Sequence, residues 1–137
     1  MNVRTRNTLI ALAIGALAIS LGGIAAAQGA TVKVPSAVTI AVKQNSLNFH
    51  GKVKTSSYQP CEQQRKVKLY KVISGGPDQV VGKDTTSNNG AWSITPQGSA
   101  GISLATFYAK TSKLSQGTAG TIYVCNAGSS KQVKPSS

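Results

Sequence analysis

Lys52 and Lys54 in one run, and Lys66 and Lys68 in another, sit at two-residue spacing, the interval at which side chains of a strand leave by the same face. If the two runs lie side by side, four ammonium groups gather on one face with Tyr70 beside them, and an anionic partner relieves their repulsion. Catalytic chemistry has less to draw on. Beyond the first thirty residues only Glu62, Asp78 and Asp84 carry carboxylates, and each has an ordinary structural setting: beside a cysteine, after a proline in a turn, and ahead of a turn. A carboxylate pair for glycoside chemistry is not expected from them. His50 is the one histidine, and no Gly-x-Ser-x-Gly elbow accompanies it, so a nucleophile triad lacks its parts. Asp84, Asn88 and Asn89 carry oxygens that suit calcium, yet the same residues are ordinary turn formers. No metal or cofactor is expected.

Cys61 and Cys125 are the only cysteines. They lack the Cys-x-x-Cys spacing of a metal or redox pair, and in an oxidising compartment their default is one disulfide closing a long loop. Such a closure contributes roughly 4 kcal/mol in the chain-entropy account, a large share of a small domain's stability.

The compartment follows from the N-terminus. Arg4 and Arg6 precede an apolar stretch from Leu9 to Ile24, and Ala25, Ala26 and Ala27 supply the small residues of a cleavage site. The apolar core falls short of the ~20 residues of a spanning helix, so a signal peptide over 1–27, cut after Ala27, is predicted rather than an anchor. The mature protein is expected to be secreted or held at the cell envelope, without stable membrane insertion. What remains is one domain's length. Of the 15 cationic residues, Arg4 and Arg6 leave with the leader, and the other 13 face three acids, for a mature charge of +10. All 13 but Arg65 are lysines, which attract anions diffusely where arginines would fork onto a phosphate or base. With few aromatics and almost no arginine, nucleic acid is not an expected partner; an anionic envelope polymer or an extracellular protein is.

The elements that must position these groups read as strands. After a flexible lead-in over 28–36, "VTIAVK" places Val38, Ile40 and Val42 on one face; "LNFHGKVK" turns Leu47, Phe49, Gly51 and Val53 inward and Asn48, His50, Lys52 and Lys54 outward. "RKVKLYKV" sends Val67 and Leu69 inward and Lys66 and Lys68 outward, then falters after Leu69, which predicts a bulge or a departing strand. "SGGPD" is a turn, "QVVGKDTT" a strand, and "SNNG" suits a type I′ hairpin leading into "AWSIT". A loop over 96–103, a strand "LATFYAKTSK", a turn "SQGTAG", a strand "TIYVC" and a short "SKQVK" complete the series, with a disordered tail over 135–137. Seven or eight strands without helical periodicity predict an all-β sandwich over 37–134.

The run "VGKDTTSNNGAWSI" resembles the strand, Asx-rich turn, glycine, aromatic and strand of carboxypeptidase-regulatory-like and transthyretin-like modules from secreted bacterial proteins, with Asp84, Asn89, Gly90 and Trp92 at the matching positions. The likeness extends over about residues 45 to 134, and the two cysteines fit its secreted form. It implies an Ig-like or prealbumin-like sandwich without catalytic activity. No ligand-channel motif of transthyretin proper is present, so a hormone-carrier role does not follow. Sequence and resemblance together predict a noncatalytic structural or binding module of the envelope; the alternatives are a cationic effector acting on anionic polymers or membrane surfaces and, more remotely, a small hydrolase or inhibitor.

Overall fold

Period-two patterning commits one side chain in two to a core, and among the described residues the chain answers with strands and no α-helix. The computed structural model describes residues 29–97 and 104–135; the predicted leader with its Ala27 cut, most of the 96–103 loop and the last two residues lie outside the described residues. The strands are β1 (Ala30–Val34), β2 (Ala37–Val38), β3 (Ala41–Lys43), β4 (Asn48–Lys54), β5 (Lys66–Lys71), β6 (Gln79–Thr85), β7 (Ala91–Ile94), β8 (Phe107–Thr111), β9 (Leu114–Thr118), β10 (Thr121–Cys125) and β11 (Gly128–Ser129). A single 3-10 turn, Gln59–Glu62, stands between β4 and β5.

Two four-stranded sheets face one another. In the first, β2 and β3 share one edge of β4 and β7 takes the other; in the second the order is β11-β8-β5-β6. Their inner faces meet in one core, to which the first sheet gives Val38, Phe49, Val53, Trp92 and Ile94 and the second gives Val67, Leu69, Phe107 and Ala109. Phe49 and Phe107 touch across the layers with ring centroids 4.6 Å apart. Truncating either to alanine would cost about 3–5 kcal/mol through lost burial and the cavity left behind.

A smaller sheet, β1-β10-β9, extends from one end. Strands β8–β9 and β10–β11 are one long hairpin: Thr111 opposite Gly128 and Leu114 opposite Cys125 keep the same register, with the rungs between them open. β1 runs parallel to β10 along its free edge. Val34, Cys61 and Cys125 form a second apolar cluster there, packed by Tyr58, Leu114 and Tyr123, and the Tyr58 and Tyr123 rings stack at 3.7 Å. The disulfide Cys61–Cys125 ties the 3-10 turn to β10 with both residues fully buried.

The sequence and the structure part at several places. Among the described residues eleven strands replace the predicted seven or eight, partly because local chemistry interrupts continuous runs. "VTIAVK" keeps one register against β4 but splits at Thr39, whose Oγ1 accepts the Lys52 N–H at 2.8 Å in place of a backbone carbonyl. The predicted lead-in is ordered into β1 by its pairing with β10. "SQGTAG" is mostly β9, and "SKQVK" gives only a bridge from Val133 to Phe107. Pro135, placed in the predicted disordered tail, is buried. "SNNG" is not a type I′ hairpin: only Gly90 has a positive φ (80°), the Gly90 N–H returns to Ser87 O, and the turn passes the chain from the second sheet to the first. Where β5 falters, the extra residue belongs to β6: Leu69 faces Gly82 and Tyr70 faces Val80, so Val81 is bulged and Tyr70 stays on the outer face.

Candidate functional site

Lys52 and Lys54 do not meet Lys66 and Lys68. β4 and β5 belong to different sheets whose inner faces share the core, so the two outward pairs lie on opposite sides of the sandwich. The 3-10 turn and the disulfide intervene between them in the chain, and strand order separates what spacing along the sequence had joined.

Register assembles another set. On β5, Lys66, Lys68 and Tyr70 share the outer face. Lys68 stands opposite Lys83 of β6 on one side and opposite Lys110 of β8 on the other. Directly opposed side chains on neighbouring strands are about 4.5–5.5 Å apart at Cβ, so Lys83, Lys68 and Lys110 form one rung of three like charges. The next rung is apolar, with Val80, Tyr70 and Tyr108 in line. On the other side of the lysine rung, Lys66 faces Thr85. Lys66, Lys68, Lys83, Lys110 and Tyr70 line a groove of about 890 Å³ that reaches Ser112 and Ala127, where the long hairpin opens.

The aromatic rung is braced. Tyr70 and Tyr108 stack with centroids 5.2 Å apart and planes within 7°, and Lys110 Nζ lies 5.5 Å from each ring centre, within cation–π range. Asp78, in the glycine-proline turn before β6, accepts from the Tyr108 hydroxyl at 2.7 Å and from the Ile73 N–H at 3.0 Å. Those two donors hold the Asp78 carboxyl below the usual range, and the same bond pushes the Tyr108 phenol up to about 12.

The other carboxylates serve the backbone. Asp84 lines the groove, but its Oδ2 accepts from the Ser93 N–H at 2.8 Å and its Oδ1 from the Thr85 N–H at 2.8 Å, joining the edge of β6 to β7. Glu62 Oε1 accepts from the Thr55 N–H at 2.8 Å. The Asn89 Oδ1 accepts from the Ser87 hydroxyl and the Ala91 N–H within its turn. Among the described residues no three His, Cys, Asp or Glu side chains gather as metal ligands. His50 is exposed on the outer face of β4, opposite Ala41 and Ser93.

Arg65, the one arginine counted in the mature charge on sequence grounds, is 1 % exposed. Its Nη1 donates to Cys61 O and to Ser36 Oγ at 3.0 Å; its Nη2 donates to Ser112 O at 2.8 Å and Asn126 O at 2.9 Å. Four chain segments are thereby fastened behind the end of the groove by one guanidinium, whose burial lowers its pKa. Lys83 and Lys110 went unrecognised as partners of Lys68 because strand order is not written in local spacing. Their parity is: Lys110 and Tyr108 alternate with Phe107 and Ala109, the signal that marks them as outward.

No family model, no curated protein and no solved structure matches this chain.

Proposed function

We propose that the protein is a noncatalytic binding module of the extracellular or envelope space that holds anionic polymers in the groove on the outer face of the β11-β8-β5-β6 sheet. The observation that carries this reading is the in-register rung Lys83–Lys68–Lys110, with Lys66 beside it and the one lining carboxylate, Asp84, occupied by backbone donors. Like charges set directly opposite one another destabilise a sheet, and a bound polyanion offsets that cost. A buried disulfide supports an oxidising destination, as the predicted leader does. The two facing sheets fit an Ig-like or prealbumin-like sandwich, in keeping with the resemblance to carboxypeptidase-regulatory-like modules.

Binding to polyphosphate, measured against increasing salt, tests the proposal. Wild type should bind at low ionic strength and release steeply as salt screens the groove. The triple variant Lys68→Thr, Lys83→Thr, Lys110→Thr should lose most of that binding, while Lys52→Thr, Lys54→Thr on the opposite face should lose little. Equal losses in the two variants would assign the binding to net charge and reject the groove.

A further inference from the structure

The groove carries more than charge. Its outer face is laid out in rungs two residues apart along the strands, about 7 Å from one to the next. One rung is wholly cationic, Lys83–Lys68–Lys110, and the adjacent one is wholly apolar or aromatic, Val80–Tyr70–Tyr108. Val80 is 38 % exposed and Tyr70 lines the groove directly. Tyr108 backs Tyr70 through the ring stack, and Asp78 fixes the Tyr108 hydroxyl, so the aromatic element is held before any ligand arrives. A charge trap needs no such brace.

We propose that the groove takes an acidic glycan, with a saccharide ring packed against Tyr70 and its anionic groups on Lys66, Lys68, Lys83 and Lys110. This rests on the reading of the lysine face as an anion site. The chemistry of the ligand follows from the two rungs. A pyranose ring has a C–H face that packs on apolar and aromatic surface, while its carboxylate projects from the edge, which places both features on one monomer. Polyphosphate has the charge without the apolar face. A single-stranded nucleic acid has bases that stack, but the cations here are lysines, point charges rather than the planar forks that accompany base and phosphate recognition. Tyr70 is the contact residue; Tyr108 and Asp78 are positioning residues.

Three probes of matched charge separate the possibilities: an oligogalacturonate, a polyphosphate and an oligothymidylate, each titrated at low ionic strength into the full mature protein. Tyr70→Thr keeps strand propensity at a half-exposed position, and Tyr70→Phe keeps the ring. Circular dichroism and melting temperature verify that both fold. Tyr70→Thr should weaken oligogalacturonate binding roughly five- to tenfold and polyphosphate binding less than about twofold, with Tyr70→Phe near wild type. Equal weakening of both probes, no weakening of either, or a Tyr70 dependence confined to oligothymidylate would overturn the glycan assignment. The Lys68, Lys83, Lys110 triple variant reports separately: it should weaken every probe, and full retention there would sink the anion site itself whatever Tyr70 does.

Discussion

Arg65 Nη2 donates to the carbonyl oxygen of Asn126 at 2.9 Å, beside the open rungs of the hairpin formed by β8–β9 and β10–β11. The same nitrogen holds Ser112 O from the opposite strand, so the guanidinium satisfies carbonyls on both strands where the hairpin ladder is open. β1 uses the same opening, since the Asn126 N–H turns to Val34 O at 2.9 Å.

Arg65→Ala should therefore cost about 3 kcal/mol or more, because it strands several buried acceptors at once, out of a total of about 5–15 kcal/mol for a domain of this kind. Arg65→Lys should recover only part of this, since one ammonium cannot span acceptors arrayed around two nitrogens. Urea unfolding measures both. An alanine variant within about 1 kcal/mol of wild type would show that the clamp is dispensable.

Lys68 sits between two opposed lysines, so its removal should help the fold. Lys68→Thr is expected to gain about 0.2–1 kcal/mol at low ionic strength, and added salt should raise the wild-type melting temperature more than the variant's. A lower melting temperature for Lys68→Thr would mean that the three ammonium groups splay without conflict.

The Asp78–Tyr108 bond has a signature at each end of the pH scale. Tyr108 ionises near 12 instead of 10, so its contribution is complete below the unfolded value of about 10 and is lost as pH rises toward the folded one. Asp78 is shifted the other way: its contribution is complete above the ordinary aspartate value and disappears as pH falls through the depressed one. Ultraviolet titration of tyrosinate should find Tyr108 ionising late, and Asp78→Asn should return it to the ordinary range. A titration unaltered by that substitution would show the bond absent in solution.

The disulfide closes a separation of 64 residues, for which the chain-entropy account gives about 4 kcal/mol. Cys61→Ala with Cys125→Ala should lower the melting temperature by more than about ten degrees. Because both cysteines are fully buried, a reductant should act on the native protein only slowly, and faster once urea opens it. A shift of a degree or two would place the stability elsewhere.

Much of the inner architecture was legible. Alternation alone placed Phe49, Val53, Val67 and Leu69 in the core and Lys66 and Lys68 outside it, since a strand's side-chain period is a local property of the backbone. The Cys61–Cys125 bond followed from counting cysteines in a chain with a predicted export leader. The "SNNG" run was legible as a turn, but not as a passage between sheets; turn chemistry specifies a reversal of direction and says nothing of what the next strand will pair with.

The sequence by itself determined that the chain forms strands, which of their side chains turn inward, and that the lysines face water. Only the tertiary structure decided which lysines are neighbours, that β1 is a strand at all, and that Arg65 is an internal clamp. The reason is the same in each case: strand order, parallel pairing and the supply of carbonyls around a buried cation come from segments distant in the chain. Lys68 acquires Lys83 and Lys110 through register, and Arg65 acquires Ser36, Cys61, Ser112 and Asn126 through topology.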